Sequence, residues 1–136
     1  MPDVATSVIV NNEGKILILK RSKKVRTYKG LWGGVAGYIE KEEKPYETAI
    51  KEISEEVGLK ENDVILIKKL DPVELTDYYE DEIYNWKIFS FLFKTEKKGK
   101  IQIDWEHLEY RWIKPTEIEK YDTAPGFKEI VSKLVQ

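Results

Sequence analysis

Residues 37–59 read GYIEKEEKPYETAIKEISEEVGL, a charged stretch bracketed by Gly37 and Gly58. Pro45 suits the first turn of a helix, where its missing N–H would have no partner in any case. From there Tyr46, Ala49, Ile50, Ile53 and Val57 recur at helical spacing, and Gly58 supplies the stop. The pattern predicts a helix over 45–57. At about 100° per residue, Glu52, Glu55 and Glu56 share a sector about 100° wide, centred roughly 120° from the apolar stripe. Three carboxylates within one turn repel, each like pair costing a few tenths of a kcal/mol. Near the helix C-terminus the macrodipole opposes negative charge as well. A helix selected for stability alone would carry lysines there. Hard divalent cations such as Mg²⁺ prefer oxygen ligands and relieve that repulsion. Periodicity alone leaves two readings open, a solvated acidic face or a ligand set.

Working outward, VATSVIV (4–10) and KILILK (15–20) are β-rich runs joined by the turn signal NNEG. RSKKVRTYKG (21–30) reads as a polar basic loop, and LWGGVAGYI as a glycine-rich strand or strand with loop. Beyond the helix, residues 64–70, 83–93 and 109–113 are strand candidates, with loops over 71–82 and 94–108. The terminal segment GFKEIVSKLVQ places Phe127, Ile130, Val131 and Leu134 on one helical stripe. Strands, a helix, more strands and a second helix imply an α/β fold, a mixed sheet covered by helices. At 136 residues the chain is expected to form one domain over 1–136.

The spacing around the helix adds a specific signal. Gly37 is followed after five residues by Glu43, and after seven more by Lys51-Glu52-Ile53-Ser54-Glu55-Glu56-Val57-Gly58-Leu59. This resembles the Nudix box, G-x5-E-x7-R-E-U-x-E-E-x-G-U with U aliphatic, and departs from it at one defined position, where Lys51 replaces arginine. Trp32 lies five residues before Gly37, similar to the family's W-x-x-P-G-G approach, with Val35 and Ala36 in place of its proline and first glycine. DWEHLEYRWIKPTEI is similar to the family's late strand ending in Trp and followed by a short helix.

The resemblance implies a Nudix-type α/β/α sandwich with a central mixed sheet. It also implies hydrolysis of a pyrophosphate bond in a nucleoside-diphosphate-linked or related substrate, dependent on Mg²⁺ with Mn²⁺ as a substitute. Carried over residue by residue, Glu55 and Glu56 are principal metal ligands and Glu52 a ligand or general base. The Ala36 carbonyl is a further ligand, and Gly37, Glu43 and Lys51 are supporting residues. An ammonium cannot reproduce the forked hydrogen bonds of the family's arginine, but Lys51 can still neutralise Glu47 or Glu55, each one turn away. That departure keeps an alternative open, a catalytically weak nucleotide-binding regulatory module on the same fold.

Outside the box, Arg21 and Arg26 are candidates to grip substrate phosphates, since guanidinium pairs with phosphate bidentately. Tyr28, Trp32, Tyr78, Tyr79 and Trp86 can stack on a base, with Trp86 favoured as core. For a loop carboxylate acting as base or on the substrate, the candidates are Asp77, Glu80, Asp81, Glu82, Glu106 and, on a strand running toward the site, Glu109. His107 is the only histidine and reads as a surface or loop residue.

Composition excludes several classes. The absence of cysteine removes disulfides, thiolate metal sites and cysteine nucleophiles, and with them an isomerase of the isopentenyl diphosphate type. A formal net charge of −2 lacks the basic field of a general nucleic-acid binder. There is neither a signal-type N-terminus nor an apolar run of membrane-spanning length, so the expected setting is cytoplasmic. The expected partner is a small-molecule nucleotide or other diphosphate, with a homodimer compatible with that reading.

Overall fold

A computed structural model describes residues 2–97 and 101–136. Within them eight strands form one sheet. They are β1 (Asp3–Val10), β2 (Ile16–Arg21), β3 (Trp32–Gly33), β4 (Val35–Tyr38), β5 (Val64–Lys69), β6 (Val73–Tyr79), β7 (Glu82–Thr95) and β8 (His107–Ile113). The sheet is mixed. β1 runs parallel to β7 from Asp3↔Lys87 to Val10↔Lys94 and antiparallel to β4 along Val4–Ser7. β2 joins β8 to the assembly from Ile16↔Ile113 to Arg21↔His107.

Helices α1 (Pro45–Val57) and α2 (Phe127–Leu134) cover opposite faces. Ala49, Ile53 and Val57 of α1 pack with Ala5, Ile9, Leu17, Leu19, Phe91 and Phe93. Phe127, Ile130, Val131 and Leu134 of α2 pack with Val8, Ile18, Trp86, Ile88 and Ile113. Each central strand therefore alternates its apolar residues between two cores, which gives the near-continuous hydrophobic reading of a strand buried on both sides. Among the described residues no helix is long and apolar enough to cross a membrane.

The helix bounds agree with the sequence expectation over 45–57. At the entry to α1, Glu47 Oε1 accepts the Lys44 N–H at 2.9 Å, satisfying one donor at the helix entrance. At its end Gly58 takes φ +78°, a left-handed cap that a side chain would strain.

One expected loop is a strand. Residues 73–79, within the predicted loop 71–82, form β6 and pair with β7 from Val73↔Ile88 to Tyr79↔Glu82. Val73, Leu75, Asp77 and Tyr79 are half-buried while Glu74, Thr76 and Tyr78 are exposed, a period of two that the acidic composition masks. Glu80 and Asp81 form its turn at positive φ, the backbone that a two-residue hairpin requires. The other expected loop, 94–108, lies partly outside the described residues; β7 extends into it as far as Thr95 and β8 begins at His107.

Candidate active site

The three glutamates of α1 occupy three different environments. Glu55 is exposed, Glu52 is half-buried, and Glu56 is 1% exposed. Glu56 belongs to the buried side of the helix beside Ala49 and Ile53, so the acidic sector straddles the edge of the core instead of pointing wholly to solvent. Its Oε2 has no hydrogen-bond partner. Buried acceptors without partners are rare in native structures, and an ionised carboxylate in such a place is costlier still. Burial, first of all, pushes the Glu56 carboxyl well above the ordinary range, followed by the neighbouring Glu52 carboxyl and the charges of Glu106 and Asp104. A proton held by Glu56 lets it donate to Glu52; with both groups ionised each is an acceptor only, and neither can satisfy the other.

Glu52 lies close against the backbone of β4. A Cβ on residue 37 would collide with the Glu52 carboxyl, so the glycine there makes room for the acid. Burial, chiefly, also raises the Glu52 pKa. Across the cleft stands Glu106, raised by burial and then by Asp104 and Glu52, with Arg21 acting in the opposite direction. The turn that carries Glu106 is stapled to the end of β2. Ser22 N–H donates to the Glu106 carbonyl at 2.7 Å, Ser22 Oγ donates to the Trp105 carbonyl at 2.9 Å, and Glu106 N–H donates to Asp104 Oδ1 at 3.2 Å.

Behind this turn lies His107, with a side chain 2% exposed. The expected surface or loop histidine is therefore a buried strand residue. Its Nδ1 is 3.1 Å from Asp104 Oδ1 and its Nε2 is 3.7 Å from Glu56 Oε1. Burial lowers its pKa, against the pull of Asp104.

Gly37, Ala36, Glu52, Glu106, Arg21 and Arg26 line a single cleft of about 1040 Å³. Tyr38, Tyr84, Trp86 and Trp105 form part of its walls, and Tyr84 stacks on Trp86 with an interplanar angle of 8° and centroids 5.3 Å apart. Trp86 is buried, as expected, and contributes to the cleft as well. Arg21 is anchored through Nε to the Thr27 carbonyl at 2.8 Å, whereas Arg26 is exposed.

Trp32, Tyr78, Tyr79 and Glu109 do not line the cleft. Trp32 is buried among core residues of the α2 face, edge-on to Tyr121 at 5.3 Å and under the Arg111 guanidinium at 5.2 Å. Glu109 pairs with Arg111 at 3.5 Å and does not line the cleft. Of the loop carboxylates, Asp77 is occupied by the Tyr28 hydroxyl at 2.9 Å, and Glu80, Asp81 and Glu82 lie at the hairpin turn. Of these carboxylates only Glu106 shares the cleft with Glu52.

Lys51 and Glu43 form a bracing unit. Lys51 Nζ donates to Glu43 Oε2 at 2.8 Å, the Thr48 hydroxyl donates to Glu43 Oε1 at 2.9 Å, and Glu40 N–H donates to the same oxygen at 3.1 Å. The Lys51 partner is thus Glu43, eight residues earlier, in place of Glu47 or Glu55. Loop closure onto the helix sets this pairing, which helical spacing does not describe.

The site fits a divalent cation in its donor chemistry. Glu52 and Glu56 are oxygen donors whose charge the fold leaves uncompensated, and Glu56 Oε2 is buried without a partner. Among the described residues no three acidic or imidazole groups converge on one point as a metal-ligand set.

The sheet between two helices is a fold that this chain shares with solved structures. The E. coli dihydroneopterin triphosphate pyrophosphohydrolase structure shares this fold with TM-score 0.82 at 20% identity, over 98% of this chain and 94% of that one. A C. elegans Ap4A hydrolase complex matches with TM-score 0.78 at 17% identity, over 98% and 94%. In sequence, the nucleoside triphosphatase NudI of Escherichia fergusonii is 26% identical over 133 residues, 91% of this chain and 90% of that protein. The NUDIX domain family matches residues 1–134, and the chain belongs to the Nudix hydrolase family, a family of pyrophosphohydrolases.

Proposed function

We propose that this Nudix domain, spanning the chain, hydrolyses a pyrophosphate bond of a nucleotide-like substrate with the help of Mg²⁺, or Mn²⁺ in its place. The observation that carries the reading is the buried, unpartnered Glu56 carboxylate beside a cleft shared by Glu52 and Glu106. Glu52, Glu55 and Glu56, with the Ala36 carbonyl, would hold the cation. When bound, it neutralises phosphate charge and makes water a better nucleophile.

The chain's own groups divide the remaining work. Arg21, fixed to Thr27, and Arg26 bind phosphate oxygens along the cleft. Glu106, with its pKa raised by burial, is the candidate to take the proton of the attacking water. The water oxygen forms a bond to phosphorus, the bridging P–O bond breaks, and a phosphate or nucleoside phosphate leaves. The Tyr84–Trp86 pair offers an aromatic wall for a base. Similarity to a nucleoside triphosphatase and to an Ap4A hydrolase supports nucleoside tri- and polyphosphates as the first compounds to test.

The test is product release from a panel of pyrophosphate compounds with Mg²⁺, Mn²⁺ or EDTA, on wild type beside Glu56→Gln. Metal-dependent cleavage lost in the variant is expected. Nucleotide binding without any turnover would replace this reading with a regulatory module.

A further inference from the structure

We propose that His107 is a positioning residue that ties Glu56 of α1 to the turn carrying Glu106, so that helix and loop carboxylates are set as one unit. The proposal rests on the metal-dependent reading above and adds to it a residue that need not touch substrate.

A register shift in the backbone carries the histidine to this position. Pairing between β2 and β8 steps from Lys20↔Glu109 to Arg21↔His107, so Leu108 is an extra residue on the β8 side. Trp112 and Tyr110 pack toward the α1 face, and uninterrupted alternation would turn Leu108 the same way. Instead Leu108 is 55% exposed and His107 is buried. A bulge re-aims side chains at a sheet margin, and this one exchanges an apolar residue for an imidazole next to the most buried acid of α1. If that position only needed filling, leucine was already at hand.

The imidazole then bridges two elements. Nδ1 lies 3.1 Å from Asp104 Oδ1, and since an ionised carboxylate can only accept, the ring nitrogen is the donor; the same oxygen receives the Glu106 N–H. That fixes the ring plane and directs Nε2 at Glu56 Oε1, 3.7 Å away. The separation exceeds a hydrogen bond, and with the proton on Nδ1 the Nε2 of a neutral ring is an acceptor, so it is by packing that the buried ring limits where the Glu56 side chain can go. Glu56 Oε1 is thus confined while Oε2 stays without a partner, which leaves one oxygen for a ligand. Residues behind a metal ligand commonly orient it in this way, and their loss weakens metal binding by about 10–100-fold.

The experiment is Mn²⁺ titration followed by the electron paramagnetic resonance signal of the free ion, on wild type, Glu56→Gln, His107→Leu, His107→Gln and His107→Asn. Circular dichroism reports folding, and steady-state kinetics separate kcat from KM. His107→Leu is expected to fold, to bind Mn²⁺ about tenfold or more weakly, and to lose kcat with KM little changed. His107→Gln, whose amide reaches the Nε2 position, is expected to recover most of the affinity. Wild-type Mn²⁺ affinity in His107→Leu overturns the proposal. Should that variant fail to fold, Gln against Asn decides: the Asn amide reaches only the Nδ1 position, so equal affinities overturn it and tighter binding by Gln supports it. If Mn²⁺ binding by wild type and Glu56→Gln is alike, the metal reading itself fails and this inference with it. That outcome is separate from one in which only the His107 variants behave as wild type.

Discussion

Glu43 and Glu56 lie on the same short stretch of sequence and are treated in opposite ways. Glu43, at the entrance to α1, accepts from Lys51, Thr48 and the Glu40 backbone. These donors, Lys51 foremost, hold its carboxyl below the ordinary value. Glu56, at the far end of the helix, is buried with one oxygen idle and its carboxyl pushed up. Hydrogen-bond accounting for Glu43 closes within the fold, and for Glu56 it does not. A residue whose interactions are complete contributes to stability. One whose interactions are left open lowers stability, and groups of that kind gather at functional sites.

The largest effect that can break this contrast is on turnover. Glu56→Gln is expected to reduce kcat/KM by on the order of 10²–10³, while in EDTA the variant unfolds at a higher temperature than wild type. The neutral amide has no charge to desolvate and can donate to the neighbouring Glu52 carboxylate. Parallel activity assays and thermal melts check both halves. A variant that is inactive because it is less stable in EDTA would falsify the contrast at its functional end.

Next in size is the response to metal. Saturating Mg²⁺ or Mn²⁺ is expected to raise the wild-type melting temperature, since a ligand at 100 times its Kd adds about 2.7 kcal/mol. Glu56→Gln should lose most of this rise. Melting curves over a metal titration, with EDTA as reference, measure it. An equal rise in both proteins would place the cation elsewhere.

The fold was legible in the sequence where its signal is local. Residues 45–57 carry their own stripe and stop, and the apolar runs that became β1, β2 and β7 need no distant information. Non-local geometry was hidden. The β6 alternation lay under an acidic composition, and Lys51 reached Glu43 because the preceding loop folds back onto the helix. His107 looked like an isolated surface histidine because its burial depends on a bulge between strands far apart in the chain. Box spacing picked out Glu52 and Gly37, which the structure joins by direct contact, but it was silent about Asp104 and Ser22, which fix the Glu106 turn. Trp32 and Glu109 were attractive by residue type and turned out to face other partners.

Glu43→Gln is expected to give the reverse signature of Glu56→Gln. It weakens the Lys51 pair and should lower the melting temperature in EDTA and in Mg²⁺ alike, leaving the metal-induced rise intact. The pH dependence has a definite sign. A carboxyl whose folded pKa lies below its unfolded value, about 4.3 for glutamate, stabilises above that value. The contribution is lost as pH falls through the folded pKa. The difference in melting temperature between wild type and Glu43→Gln should therefore be full near neutrality and close on the acid side, below about pH 4. A difference that persists unchanged into that range would mean that side-chain packing, and not the ionised carboxylate, is what Glu43 contributes.

The smallest expected effect belongs to Lys51→Arg, which restores the residue of the family box. A guanidinium can engage Glu43 with two parallel hydrogen bonds where the ammonium makes one at 2.8 Å. Both partners remain partly exposed, so solvent screens the gain and the melting temperature should rise only slightly. Arginine and lysine have nearly equal helix propensity, so the backbone contributes little. Lys51 Nζ contacts Glu43 at the bracing end of α1, and Glu56 is set by burial and by His107 at the other end. The substitution should therefore leave kcat and Mn²⁺ affinity unchanged. Kinetics and the same Mn²⁺ titration test this together. A marked gain in kcat or Mn²⁺ affinity would show that the brace reaches the acid at the far end of the helix, and the separation between the two glutamates would have to be given up.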